Sequence, residues 1–215
     1  MPTTIIKVII TDDHAILRDG LKQILSETDD IQVVAEADNA TEAIMLARKK
    51  PADVMLLDIS LPDRNGVEAL KILKKEHPAL AVLMLSMHRE DQYAIRSLKA
   101  GASGYLTKQG AAAELVQAIR TVAKGKKYLS ATVAESLANH LGDDEKPLHE
   151  ALSDREFQTL SMIASGMTVS EIAEKLCLSV KTVSVYRARM LEKMQLHNNA
   201  EITHYAIKNH LVDED

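Results

Sequence analysis

Asp12 and Asp13 stand side by side just after one apolar run, and Asp58 closes another. Ser86 ends a further run and Lys108 follows a last, short one. In an open parallel α/β sheet, ligands gather beyond the carboxyl ends of the strands. If these runs are strands, all five groups share one edge. Carboxylates drawn together raise one another's pKa or demand a cation. A hard divalent ion answers that demand, and Mg2+ takes one or two carboxylates, several waters and phosphate oxygens. The Ser86 hydroxyl and the Lys108 ammonium suit phosphoryl oxygens, because phosphoryl transfer needs mainly positioning and charge neutralisation. A carboxylate such as Asp58 can then be the nucleophile and form an acyl phosphate. Singly, each residue has a plainer reading: Asp13 as a cap, Ser86 as a turn residue, Lys108 as a solvated charge. The shared edge is what sets them apart. His14 and His88 flank the site, but with no second His or Cys at ligand spacing nearby they read as surface residues.

The elements that must position these groups are legible as texture. Apolar, often β-branched runs at 5–10, 31–35, 54–57, 80–85 and 104–106 read as strands, the last mainly by its place in the series. Between them apolar residues recur at helical spacing: Leu17, Leu21, Ile24 and Leu25 first, and Leu115, Ala118, Ile119 and Val122 last. Pro51 and Pro78 mark helix stops. Strand and helix alternating five times imply a parallel sheet with helices on both faces. Continuous apolar strands fit, since such a sheet is covered on both sides.

Residues 131–141 read as a further helix, and GDDEKPLHE at 142–150, charged and without apolar period, as the linker. Beyond it strands cease, and helices are expected at 154–165, 169–176, 180–194 and 201–210. The organisation expected is a first domain at 1–125, a linker with a helix at 126–150 and an all-helical domain at 151–215. The second and third of these helices meet at a short break, 177–179, the spacing of a helix-turn-helix. Ser153 with Glu156 forms a capping box, Thr168 or Ser170 can cap the next helix, and Ser179 the one after. On that third helix Val183, Met190 and Met194 form an inward stripe with Leu191 near it. Lys181, Val185, Ala188, Arg189 and Glu192 lie opposite, with Ser184 at the margin.

The chain has 215 residues, 46% hydrophobic but only 3% aromatic with no Trp, so its cores must be aliphatic and Met-rich. A net charge of −5 argues against a generic polyanion binder and confines any nucleic-acid contact to a local patch. Four basic residues against one acidic one between 181 and 193 form such a patch, although 151–215 as a whole holds seven basic and nine acidic. The lone Cys177, between Leu176 and Leu178, reads as a small buried apolar residue; no disulfide can form within the chain, as suits a reducing cytoplasm. The start, MPTTIIKVIITDD, does not read as a signal peptide, and no apolar run approaches the ~20 residues that span a bilayer.

The motifs VIITDDH (8–14), LLDISLPDRNG (56–66), LMLSM (83–87) and GYLTK (104–108) resemble the receiver domain of bacterial response regulators. The resemblance implies a flavodoxin-like sheet of order 2-1-3-4-5, with Asp58 as phosphoacceptor. It implies Mg2+ held by Asp12, Asp13, Asp58 and the backbone carbonyl of Ser60. Ser86 and Lys108 would contact the phosphoryl group, and Ser86 with Tyr105 would form the switch pair, Tyr105 turning inward as Ser86 moves. Pro62 and Gly66 would shape the loop after the acceptor strand. Many relatives carry Thr where Ser86 stands; the hydroxyl is the same.

LSDREFQTLSMIASGMTVSEIAEKL and LSVKTVSVYRARMLEKM resemble the LuxR/FixJ/NarL-type DNA-binding domain. By that resemblance Ser184, Val185 and Ala188 would face base edges, and Lys181, Thr182, Tyr186, Arg189 and Lys193 would contact phosphates. The last helix, with Ile202, Tyr205, Ala206 and Leu211, would pair two DNA-bound copies. The combined expectation is a transcription factor rather than an enzyme, phosphorylated by a sensor histidine kinase and dimeric on duplex DNA when phosphorylated. A Mg2+-dependent phosphatase fits less well, because Ser60 stands where a second aspartate would be needed. A protein-binding adaptor is the other alternative. A nucleotide-dependent oxidoreductase is excluded by the lack of a Gly-rich phosphate loop after any strand.

Overall fold

A computed structural model describes residues 5–86, 91–108, 111–130, 133–134, 147–209 and 211–212. His88 and most of the helix expected at 131–141 lie outside the described residues. The chain divides into two compact units, Met1–Leu137 and Ala138–Asp215.

The first unit alternates β1 (Ile6–Thr11), α1 (Ala15–Ser26), β2 (Ile31–Ala37), α2 (Ala40–Lys49), β3 (Val54–Asp58), α3 (Gly66–Glu76), β4 (Ala81–Ser86), α4 (Asp91–Lys99), β5 (Gly104–Thr107) and α5 (Ala111–Ala123). All strand pairs are parallel, in the order β2-β1-β3-β4-β5. Every residue of β3 and β4 is buried, as expected for strands sandwiched between helical layers. One side of the sheet packs Leu21 and Leu25 of α1 and Leu115, Ala118, Ile119 and Val122 of α5 on Val8, Ile10, Leu56, Leu83 and Leu85. Asn39 caps α2 by accepting the Glu42 amide, and buried Asn65 caps α3 by accepting the Val67 amide.

Register brings the strand ends into line. Thr11 pairs with Leu57, Asp58 with Leu85, and Ser86 with Thr107. Asp12 and Asp13 follow β1 directly, and Lys108 follows β5.

Among its described residues the second unit carries a 3-10 turn, Leu148–Ala151, followed by α6 (Asp154–Ala164), α7 (Val169–Lys175), α8 (Val180–Met194) and α9 (Asn199–Lys208). Capping boxes at Ser153/Glu156 and Thr168/Glu171 start α6 and α7. Ser179 caps α8, and Gln195, at φ 56°, ends it in a left-handed cap. Phe157, Leu160, Ile172, Val183, Met190, Met194 and Ile202 are buried among the residues of this unit.

One expectation changes, and the stretch expected as a linker with a helix, 126–150, makes contacts at both of its described ends. Tyr128 bridges to Gly104, donating its amide to the Ser103 carbonyl (3.0 Å) and accepting the Tyr105 amide (3.3 Å), so it extends the sheet edge. At the other end His149 is buried, its amide and Nδ1 meeting the Tyr205 hydroxyl at 3.3 and 3.0 Å. Charge and proline at 142–150 concealed this, because one buried aromatic hydrogen bond leaves no periodicity. Cys177, expected to be buried, is exposed. It occupies the turn between α7 and α8 at φ 52°, and Leu176 takes the buried position instead.

Candidate functional site

Asp58 ends β3 fully buried, with the equally buried Asp12 beside it across the β1–β3 pairing. Lys108 reaches both: its Nζ lies 2.7 Å from Asp12 Oδ2 and 2.8 Å from Asp58 Oδ2. One cation thus faces two buried anions. Burial pushes Asp58 up to about 6; the Lys108 charge pulls against that rise, and the neighbouring Asp12 charge adds to it. Burial alone would lower the Lys108 pKa, but the two carboxylates more than offset it and hold the ammonium above its ordinary value. Among the described residues Asp58 Oδ1, shielded from solvent, has no donor at ordinary hydrogen-bond geometry, and the Ser60 amide is the weakest of the influences favouring the charged carboxylate. An orphaned buried carboxylate oxygen is costly and marks a place for a cation or a reacting group.

That oxygen belongs to a cluster. One ligand atom from each of Asp12, Asp13, His14 and Asp58 lies within 4.8 Å of the others. Asp13 stands at the solvent rim, and His14 Nδ1 sits 2.7 Å from Asp13 Oδ1 and 3.2 Å from Asp12 Oδ1. These donors fit a divalent ion with mainly oxygen ligands. The structure therefore brings together Asp12, Asp13, Asp58 and Lys108, and sets beside them His14, which stays 60% exposed as its surface reading implied while its ring faces the carboxylates. Its signal in the sequence was adjacency to Asp13, which does not show where a ring will point. Arg18 was also missed: its Nη1 donates to the Asp12 carbonyl at 2.5 Å, holding the turn after β1. Asp63 steadies the loop after β3 by accepting the Ala40 and Thr41 amides, both at 2.9 Å, and the Thr41 hydroxyl at 2.6 Å.

The loop itself depends on Gly66. A Cβ there would lie 2.0 Å from the Asp58 carbonyl oxygen, closer than any side chain tolerates. The Gly66 amide instead donates to the Ile59 carbonyl at 2.8 Å, drawing the start of α3 onto the end of β3. Ser86, the last residue of β4, is buried, and its carbonyl accepts the Lys108 amide at 2.7 Å. Tyr105 on β5 is also buried.

In the second unit, α8 divides as its pattern implied: Val183, Met190 and Met194 are buried and Leu191 half-buried. Lys181, Ser184, Val185, Ala188, Arg189 and Lys193 are exposed, and Thr182 and Tyr186 half-buried. Several of these side chains are already engaged. The Ser184 hydroxyl donates to the Val180 carbonyl (2.8 Å), and the Thr182 and Ser179 hydroxyls meet at 2.8 Å. Lys193 Nζ pairs with Glu156 Oε2 at 2.6 Å. Among the described residues Lys181 and Arg189 make no ion pair. Of the apolar residues assigned to copy-to-copy pairing, Ile202, Ala206 and Leu211 are fully buried and Tyr205 holds His149. They pack within the unit, leaving Ile207 as the exposed large apolar side chain of α9.

A doubly wound parallel sheet with an acidic pocket at its carboxyl edge, preceding a helix-turn-helix unit, defines a class. Residues 8–120 match the response regulator receiver domain family, and 150–206 match the bacterial regulatory proteins of the LuxR family. The chain belongs to the response regulators that join a receiver to a LuxR-type DNA-binding domain. It is 38% identical over 210 residues to the response regulator GacA of Pseudomonas syringae, covering 97% of this chain and 98% of that one. To the response regulator UvrY of Escherichia coli K12 it is 37% identical over 212 residues, covering 98% and 97%. Among solved structures it resembles the Salmonella typhimurium RcsB response regulator (TM-score 0.70, 28% identity, 95% and 98% coverage). It also resembles RcsB of Salmonella enterica serovar Typhimurium bound to promoter rprA with phosphomimetic BeF3- (TM-score 0.64, 27% identity, 94% and 98%). Among the described residues no helix is long and apolar enough to cross a membrane.

Proposed function

We propose that the chain is a phosphorylation-controlled transcription regulator in which Asp58 accepts a phosphoryl group from a sensor histidine kinase. The observation that supports this most directly is the asymmetry of the buried Asp58 carboxylate: Lys108 holds Oδ2, while Oδ1 has no donor at ordinary hydrogen-bond geometry among the described residues. Oδ1 attacks phosphorus, the P–N bond of the donor phosphohistidine breaks, and the imidazole leaves with the bond pair and takes a proton. Lys108 and the Ser86 hydroxyl take up charge on the phosphoryl oxygens, which is most of what phosphoryl transfer requires. Asp12, Asp13, Asp58 and the Ser60 carbonyl would hold Mg2+, which would supply positive charge to offset that of the carboxylates and the incoming phosphoryl group. The added charge of roughly −1.5 to −2 shifts Ser86, with Tyr105 following it, and biases the β5 edge on which Tyr128 sits. Ile16, 90% exposed just after the acidic turn, offers the kinase an apolar footing.

The units correspond to switch and output: receiver at 1–125, a connecting segment over 126–150, DNA-binding unit at 151–215. In the output unit α8 enters the major groove, with Ser184, Val185 and Ala188 toward bases and Lys181, Thr182, Tyr186 and Arg189 toward phosphates. A single such unit reads few base pairs, so a dimer on paired half-sites is the DNA-bound form. Solved RcsB structures include two dimers bound to two parallel DNAs, which supports this arrangement by likeness. The regulator acts in the cytoplasm and performs no catalytic turnover of its own beyond autophosphorylation and its reversal.

The test is acetyl-phosphate labelling on a phosphate-affinity gel, followed by footprinting. Wild type acquires one retarded species with Mg2+ and protects DNA more strongly once labelled. Asp58→Asn acquires none. Full labelling of the Asn variant would refute Asp58 as acceptor.

A further inference from the structure

The edge of the sheet opposite the acidic pocket is also hollow. Where β3, β4 and β5 begin, a cavity of about 780 Å³ opens, with Asp53, Ala81 and Ser103 on its wall. Neighbouring strands lie about 4.8 Å apart, so it runs roughly 10 Å across the three. That volume suits a small organic ligand. Its charge is one-sided. Lys50 lines it from the end of α2, Lys74 from the last turn of α3, and Lys127 from the segment after α5. Among the described residues none of the three makes an ion pair. Backbone carbonyls hold each ammonium instead: Val34 for Lys50 (2.9 Å), Pro78 and Leu80 for Lys74 (2.8 and 2.9 Å), and Ala102 for Lys127. A carbonyl positions a cation without cancelling its charge. The two carboxylates on the wall are engaged elsewhere. Glu76 accepts Arg48 twice, at 2.6 and 2.7 Å, and Asp53 Oδ2 accepts the Lys7 amide at 2.7 Å. His77 lines the cavity too, and its Nε2 is shielded from solvent with no hydrogen-bond partner among the described residues. Burial lowers the Lys74 pKa and the Lys127 charge lowers it further, so an anion brought near would relieve both. A cleft walled by one sign of charge concentrates ions of the other.

We propose that this cavity binds a small organic anion with a charge at each end, of the bisphosphate class. One charged end meets Lys74 and Lys127, which stand near enough to repel each other, and the other meets Lys50. A lone phosphate is too short to engage both ends of a cavity about 10 Å across. The site is separate from the acidic pocket and does not depend on the phosphorylation proposed there. Its consequence falls on the β5 edge. Lys127 precedes Tyr128, which bridges to Gly104, so a ligand held by Lys127 steadies the segment where it joins the sheet.

The test is a titration of the full-length chain in EDTA with fructose 1,6-bisphosphate, followed by amide NMR spectra. Saturable shifts are expected at the amides of Gly101, Ser103 and Gly125, all on the cavity wall. Affinity should exceed that for inorganic phosphate by roughly tenfold, the worth of one further charged contact. Lys127→Gln should lower it by roughly tenfold for the same reason. Lys127 is exposed, so that variant keeps its fold. Lys74→Gln, which also removes the donor to two carbonyls, serves as a second variant and should weaken binding at least as much. Shifts confined to α8 or to residues 12–14, or none at the three amides, would overturn the proposal. So would equal affinity for inorganic phosphate, or affinity unchanged in both lysine variants.

Discussion

Asp58 is held in a state its chemistry exploits. Its pKa of about 6 lies above the ordinary 3.8, because burial outweighs the Lys108 charge. A raised carboxylate pKa means that the folded protein binds more protons than the unfolded chain between about pH 4 and 6. Stability tied to Asp58 is therefore present below pH 4 and lost as pH rises through 6. In EDTA, wild type should lose on the order of 2–3 kcal/mol relative to Asp58→Asn between pH 4 and 7. Urea unfolding at both pH values checks this, and a constant difference would contradict it. Mg2+ should restore much of the loss by meeting the orphan Oδ1. A buried carboxylate that is uncomfortable as a bare anion is well suited to bind a cation and to take the phosphoryl group proposed for it.

At the scale of elements, two turns set geometry that side chains only decorate. Gly66 lets α3 begin against the Asp58 carbonyl, where a Cβ would intrude to 2.0 Å. Gly66→Ala should destabilise the protein by about 2–3 kcal/mol through overpacking and impair the proposed labelling of Asp58, because the backbone that must yield carries that residue. Stability within error of wild type, with normal labelling, would show that the loop relaxes freely. Cys177 is the opposite case, a side chain where none is wanted. It sits at φ 52° in the helix-turn-helix turn. Left-handed backbone costs about 1–2 kcal/mol for a residue with a Cβ, and glycine's extra chain entropy returns about 0.5–1. Cys177→Gly should therefore stabilise the domain by roughly 0.5–1 kcal/mol, measured by thermal melting at constant pH. A lower melting temperature would count against strain at this turn.

For the whole molecule, binding DNA at a net charge of −5 requires that positive charge be concentrated on one face of α8. Structure separates the basic residues of that helix into two kinds. Lys193 is bound to Glu156. Burial opposes ionisation of Glu156, but Lys193 and the Ser153 cap outweigh it and hold the carboxyl below its usual range. Arg189 makes no ion pair among the described residues. Arg189→Ala should weaken binding to all sequences and reduce the slope of log affinity against log salt by about 1. Lys193→Ala should leave that slope nearly unchanged, since its charge is already offset within the domain. Titrations at several salt concentrations decide, and equal slopes for Arg189→Ala and wild type would remove Arg189 from the phosphate contacts.

Local pattern determined the elements. Strand runs, helical spacing, the cap residues Ser153 and Ser179, and the inward stripe of Val183, Met190 and Met194 all depend on neighbours within a turn or two, so they can be read from adjacent letters; between Thr168 and Ser170 the structure chose Thr168. The sheet-edge placement of Asp12, Asp58 and Lys108 followed from the rule that parallel strands present their carboxyl ends together. Tertiary structure alone decided what depends on approach in space. It turned His14 toward the aspartates, left one oxygen of Asp58 without a well-placed donor, and gave Lys193 to Glu156. It drew Tyr128 onto β5 and His149 under Tyr205, and it turned Cys177 outward. In each of these a short polar contact or a single backbone angle overrides residue type, and contacts between residues far apart in sequence leave no periodic trace along it.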